Sequence, residues 1–377
     1  MSLPRTLRHS ACAILSLGLT APVGLALIGF NDGHDKIYVH GMISTGWSSN
    51  TSATRDGHSD SITHLELGAD YERRAGLIAV DAKVAVDSSY YAQYTDENTV
   101  EPRASLELTK ADGRATGSWT LSAARQDRND SASNRRVESW NYETGLNLRY
   151  PVISRYALAG GVDFSRRVIT DSNLGLVNIN SYSANADLFY EYTSERDLFA
   201  GIRVRHDQTS GMLTGNDYAT YVGISGKVLP KINGTLRLGY QERQEDGHRA
   251  PSWTSATSLT WSPTKKLRLT GYINKDFSTT TTDGSCDTLT VGADASYAFT
   301  ARFAAFAGAY AGHSRFLDRQ LVDGRTDDFW GANIGVQYTR NEHLKISLTY
   351  GFHENSSTLA IANYRSHSVS LAVSSRF

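Results

Sequence analysis

Beyond its first few dozen residues the chain repeats one phrase, a stretch of about 10–14 residues alternating apolar and polar side chains, followed by a turn. Leu344, Ile346, Leu348, Tyr350 and Phe352 share one face, with Lys345, Ser347 and Thr349 on the other. Trp140, Tyr142, Leu146, Leu148 and Tyr150 oppose Asn141, Glu143, Asn147 and Arg149. Tyr156, Leu158, Val162 and Phe164 oppose Asp163, Ser165 and Arg167, and Leu289, Val291, Ala293 and Ala295 oppose Thr290, Asp294 and Ser296. Successive strand side chains point to opposite faces, so each phrase is a strand with one greasy and one wet side. Strands of soluble sandwiches and propellers average about 5–6 residues. These are about twice as long and match the roughly 9–11 residues that cross a tilted bilayer. No apolar run after the N-terminus approaches the roughly 20 residues of a membrane helix, and a barrel needs none.

The turns alternate in kind. Short ones fall at Glu72–Gly76, Lys110–Arg114, Pro151–Ser154, Thr193–Arg196, Leu229–Lys231, Pro263–Lys266, Thr300–Arg302 and Arg340–His343. Longer polar links fall at Asn50–Asp60, Ala92–Thr99, Asn129–Val137, Thr170–Asn178, Thr209–Gly215, Gln244–Pro251, Thr280–Gly284, Leu317–Arg325 and Asn355–Asn363. Together they predict an all-β transmembrane antiparallel up-and-down β-barrel of about 18 strands, with short turns on the periplasmic side. An even count brings both ends of the barrel to that side. The last strand alternates Val369, Leu371 and Val373 against Ser368, Ser370 and Ser374 and stops on Phe377, resembling the terminal strand that outer-membrane barrels present to their assembly machinery. Tyr150, Tyr192, Trp261, Tyr297 and Tyr338 stand beside short turns and predict an aromatic girdle at headgroup level.

The composition suits strands and turns: 32 Gly, 20 Tyr and only 7 Pro. A net charge of −1 gives no general pull toward nucleic acid. Cys12 and the lone Cys286 provide neither a disulfide framework nor a thiolate metal site. Arg5, Arg8 and His9 precede an apolar run from Ala11 to about Leu27, with Gly24 and Ala26 at its end, the pattern of a cleaved secretory signal over residues 1–26. A short segment, 27–35, then precedes a barrel over 36–377.

If the apolar face meets lipid, the opposite face lines the interior. Parity places Arg149, Arg167, Arg203, Arg205, Asp207, Arg237, Arg268 and Lys345 there, with Arg203–Asp207 the densest cluster. Phe189, Tyr221 and Tyr272 are the inward aromatic candidates. Such residues either tune a wet channel or pair with one another and merely solvate the wall. The histidines are scattered and occur in no recognisable catalytic phrase, and no Gly-rich phosphate loop opens a helix. No catalytic residue, cofactor or metal is expected.

From about Lys227 onward a family resemblance becomes specific. Gly234-Thr235-Leu236-Arg237-Leu238-Gly239-Tyr240-Gln241-Glu242-Arg243 and Ser258-Leu259-Thr260-Trp261-Ser262-Pro263-Thr264 resemble the β-barrel porins found beside exopolysaccharide or capsule synthesis genes. Thr300-Ala301-Arg302-Phe303 and the closing Ser368–Phe377 strand do likewise. Gly234 and Gly239 suit tight sheet curvature, and Pro263 a strand end. The resemblance implies an outer-membrane pore that passes exopolysaccharide or a similar hydrophilic solute. Its expected partners are lipid and lipopolysaccharide, the barrel-assembly machinery, and periplasmic export proteins. A general diffusion porin, a plugged structural barrel and a barrel enzyme are the alternatives.

Overall fold

The structure is a computed structural model that describes residues 28–30, 34–171, 174–245, 247–317, 324–341 and 343–377. The expected signal segment lies outside the described residues. The strands are β1 (Ile28–Phe30), β2 (Asp35–Ser48), β3 (Asp60–Arg73), β4 (Ala79–Tyr91), β5 (Thr99–Lys110), β6 (Thr116–Asp130) and β7 (Arg135–Ile153). They continue with β8 (Tyr156–Ile169), β9 (Ile179–Thr193), β10 (Arg196–Thr209), β11 (Thr214–Leu229), β12 (Ile232–Glu245) and β13 (His248–Trp261). The last are β14 (Leu267–Thr279), β15 (Ser285–Ala298), β16 (Phe303–Phe316), β17 (Thr326–Thr339), β18 (Leu344–Ser357) and β19 (Tyr364–Arg376).

Each strand from β2 onward pairs antiparallel with the next, and β19 returns to β2 from Ser368↔Ser48 to Arg376↔His40, closing an 18-strand barrel. Closure satisfies the backbone groups that an open sheet would leave bare in lipid. Beyond Arg376, Val39 and Phe377 exchange backbone hydrogen bonds of 2.9 Å in both directions. The Phe377 ring stacks on His343 of the last short turn at 5.2 Å and 7°, so the C-terminal residue lies at the short-turn end, as expected. β1 pairs with β2 from Ile28↔Ile37 to Phe30↔Asp35, taking up the edge that β19 leaves free.

Each expected turn falls at a strand junction, although β7 takes up Pro151–Ile153 of one of them and turns at Ser154 and Arg155. Two expected long links are shorter than read: β6 and β7 consume most of Asn129–Val137, and β12 and β13 most of Gln244–Pro251. Pro251 therefore sits inside a strand, but in a part of β13 that has a partner on one side only, where a missing N–H costs no ladder bond. Gly234 has φ +149°, and a Cβ there would lie 2.0 Å from the Ser258 carbonyl oxygen. Gly239 admits the Thr220 carbonyl, 2.2 Å from where its Cβ would stand. At both points the strands approach more closely than a side chain permits.

Burial is inverted relative to a water-soluble core. Arg243, Asp217 and Gln241 are at most 1% exposed, whereas Ile202, Leu148 and Val222 are 55–63% exposed. The exposed apolar band is what hydrocarbon would cover. The expected girdle residues Tyr150, Tyr192, Trp261 and Tyr297 are outward and exposed, and Tyr338 packs on Phe303 beside them. A second belt, Trp47, Tyr90, Tyr182, Tyr218, Tyr240, Trp253 and Trp330, is exposed toward the long-link end.

Candidate functional site

The lumenal face of β10–β12 carries the densest polar packing. Alternation turns Arg203, Arg205 and Asp207 of β10 inward, beside Asp217 of β11 and Gln241, Arg243 and Glu245 of β12. Arg205 Nε donates to Asp217 at 2.7 Å. Arg243 Nη1 donates to Asp207 at 3.0 Å and Asp217 at 3.1 Å, and its Nε faces Glu245 at 3.3 Å. Ser181 of β9 donates to Asp207. Charges this buried persist only when paired and hydrogen-bonded. The wall meets that condition mostly from its own strands.

What covers this wall is the hairpin of β14 and β15. The β13–β14 ladder runs only from Trp261↔Leu269 to Ser255↔Lys275. Beyond it, Asp276–Thr279 pair with β15 alone. On the other side of β13 its ladder with β12 skips Leu236 and Arg237, and there Ser255 Oγ donates to the Arg237 carbonyl and Thr257 Oγ1 accepts from the Arg237 N–H in place of strand-to-strand bonds. The hairpin end then tucks inside the wall. Thr254 Oγ1 donates to the Lys275 carbonyl at 3.0 Å, and Arg205 Nη2 caps the Phe277 carbonyl at 2.6 Å. Arg203 grips Asp276 in a fork of 2.9 and 2.7 Å. Arg243 donates to Thr279 at 2.6 Å, and Ser285 donates to Glu245. Lys275 and Asp287 keep the parity of the lipid-facing Ile273 and Leu289. They pair at 2.5 Å beneath Ser252, which donates to Asp287 at 3.0 Å.

The tip, Thr280–Gly284, was expected to be an external link and is instead packed into the mouth. Sequence alternation reports parity along a strand, not the point at which a strand leaves the wall. Asp283 accepts from Thr209 Oγ1, from the Met212 N–H at 2.9 Å and from the Leu213 N–H at 3.2 Å. Gly211 leaves room for that carboxylate, which would lie 2.3 Å from a Cβ there. Burial opposes ionisation of Asp283, but its three donors outweigh it and hold the pKa below the usual aspartate value. Thr281 donates to Asp130 of β6 at 2.8 Å, so the tip reaches a strand far around the barrel. The β6–β7 link is also held by Arg325, which donates to the Ala132 and Ser131 carbonyls at 2.8 and 2.7 Å. The hairpin tip and these links thus narrow the lumen at the long-link end.

The candidates divide accordingly. Arg203, Arg205 and Asp207 belong to the buried network. Arg149 pairs with Asp197 at 2.8 Å and lies over Phe189, whose ring meets Phe199 at 5.2 Å. Arg237 lies over Tyr221 at 4.7 Å, forming with these a lumenal shelf of rings and guanidinium groups. Arg167 pairs with Asp130 at 2.8 Å. Arg268 and Lys345 are exposed near the short-turn end, away from the network. Tyr272 lies against Gly292, apart from the shelf. Asp217, Arg243 and Asp276 escaped the sequence reading although parity would have admitted all three. Cavities of about 510 Å³, bordered by His40, Asp70, Lys83 and Arg103, and about 410 Å³, beside Thr281, Arg325 and Tyr364, occupy the lumen. Among the described residues no group of three or more His, Cys, Asp or Glu is placed to hold a metal ion, and Cys286 is buried and free.

Comparison with known proteins agrees with this architecture. Pseudomonas aeruginosa OccK2 (OpdF) superposes with a TM-score of 0.51 at 10% identity, covering 93% of this chain and 99% of that one. P. aeruginosa OpdK with vanillate gives 0.47 at 11% identity, covering 90% and 98%. The FrpB iron transporter of Neisseria meningitidis gives 0.45 at 10% identity, covering 90% and 81%. No curated protein sequence matches the chain. The model of the family described as Putative beta-barrel porin 2 matches residues 37–377. The chain is an outer-membrane β-barrel and belongs to that porin family.

Proposed function

We propose that this barrel passes small hydrophilic solutes through a lumen narrowed by its own β14–β15 hairpin. The observation that carries the reading is the hairpin tip inside the mouth, with polar cavities of about 410 and 510 Å³ in the lumen. Volumes of that order match pockets for single small molecules. A polymer strand must occupy the full bore at once, so the exopolysaccharide expected from the resemblance needs the tip displaced. The wall carries both charge signs, mutually paired, which favours weak selectivity over strong preference for anions or cations. The role is passage, with no catalytic group assigned. Lipid and lipopolysaccharide are the proposed neighbours of the aromatic belts, and the assembly machinery the proposed reader of Phe377.

Liposome swelling tests this. Liposomes holding the purified barrel should swell in arabinose and glucose, slowly in a trisaccharide, and not in dextran. Equal rates for glucose and dextran, or none for arabinose, would defeat the proposal. A deletion strain that traps polymer in the periplasm would favour export instead.

A further inference from the structure

We propose that the β13–β14 seam is a gate, with a second state in which the hairpin leaves the mouth and zips onto β13. Four features support it.

The first is the free edge. Where the ladder stops at Ser255↔Lys275, β13 continues to His248 and β14 to Thr279, so both strands have unpaired edges over the same span. Continuing the register opposes Thr254 to Asp276, Trp253 to Phe277 and Ser252 to Ser278. Second, Phe277 is 1% exposed yet has the parity of lipid-facing Leu269 and Ile273. Zipping would carry it to the outer surface beside Trp253, an aromatic pair at the second belt. Third, the wall beneath the hairpin does not depend on it. Arg205 with Asp217, and Arg243 with Asp207 and Asp217, pair between wall strands. Departure of the hairpin removes from that wall the Asp276 carboxylate held by Arg203, the Asp283 carboxylate held by Thr209, and a few neutral acceptors and donors, and leaves these wall pairs in place.

Fourth, the tip is held by a compact latch, Asp283 on Thr209, Met212 and Leu213. Its residues Thr280–Gly284 connect two strands paired along their whole length, and β15 is laddered in turn to β16 as far as Cys286↔Phe316, so the ends of β14, β15 and β16 swing together as one piece of sheet. The wide state would open the lumen, which bears on the proposed passage, but the movement can be detected without any solute.

Two cysteine pairs distinguish the states, each in a Cys286→Ser background, with heat-modifiable migration in gels confirming a folded barrel. Gly211→Cys/Asp283→Cys bridges the latch and should hold the narrow state, with single-channel conductance rising at least twofold on reduction. Trp253→Cys/Phe277→Cys can bridge only when the seam zips. It should cross-link in outer membranes under mild oxidant, and the oxidised form should conduct at least as well as the reduced latch variant. If this second pair never cross-links in folded barrel while the first does, the gate is refuted. If both cross-link and the barrel conducts, but neither bridge changes its conductance, the seam moves without gating and the gate is equally refuted. Absence of conductance in every form, with both pairs cross-linking, would refute passage rather than the movement.

Discussion

Replacing Arg243 by Met tests whether the lumenal network is an energetic unit. The guanidinium is 1% exposed and has carboxylate oxygens at 3.0, 3.1 and 3.3 Å on Asp207, Asp217 and Glu245. At an effective dielectric of about 20, one charge pair at 3 Å has a gross attraction of roughly 5 kcal/mol, most of it offset by desolvation. The change to Met keeps volume but leaves the carboxylates with less positive charge nearby. Removing one member of a buried pair costs about 3–5 kcal/mol. Arg205 still pairs with Asp217, and Ser181 and Thr279 still donate to Asp207, so about 3 kcal/mol is expected here. Adding Asp207→Asn removes one stranded charge and should restore about 1 kcal/mol or more. Urea titration of barrels folded into phospholipid vesicles, read by tryptophan fluorescence, measures both. The reasoning fails if Arg243→Met lies within about 0.5 kcal/mol of the parent, or if the double variant is no more stable than the single.

Further outcomes follow from other contacts. Gly234→Ala places a Cβ at φ +149° against the Ser258 carbonyl; it should cost about 1–3 kcal/mol in the same titration, against less than 0.5 for Gly160→Ala, where the nearest atom is 3.5 Å away. The pKa of Asp283 lies below its unfolded value, so its stabilisation is complete above the unfolded pKa and fades only as pH falls through the lower folded value. A nitroxide at Thr282→Cys, with Cys286→Ser, should stay immobile from neutral pH down to about 4 and gain mobility below it. Asp283→Asn should show no such acid step. Deleting Phe377 removes both backbone bonds to Val39 and the stack on His343; folded barrel recovered from outer membranes should drop at least severalfold, and unchanged recovery would show that assembly does not read this residue.

Strand number, turn positions, barrel polarity and the site of Phe377 were legible because a bilayer imposes them along the chain. Length between turns measures the hydrocarbon, and parity such as Leu344 against Lys345 assigns each face. The tucked hairpin was not legible. Thr280-Thr281-Thr282-Asp283-Gly284 has the composition of any exposed link, and only tertiary packing buries it. One signal did exist: Lys275 and Asp287 interrupt the greasy faces of Leu269–Ile273 and Leu289–Val291, at positions that the pairing makes near neighbours. Opposite charges on a lipid face mark a place where the wall is covered. Parity alone suffices to turn Arg203, Arg205 and Asp207 to one face, because β10 is regular there. Asp276 shares the inward parity of Arg268 and Tyr272, but its meeting with Arg203 and Arg205 depends on β14 leaving the wall, which no parity reports.

Pairing of β19 with β2 joins residues more than 300 positions apart, such as Ser368 with Ser48. Among the described residues every other strand from β3 to β18 pairs only with its sequence neighbours, so the ladder has no shorter circuit. A chain stalled after any intermediate strand is therefore a curved sheet with two raw margins, each ready to recruit foreign β-structure. Formation of the cylinder is a single late event of high contact order. The cell must shield those margins until the first and last long strands meet.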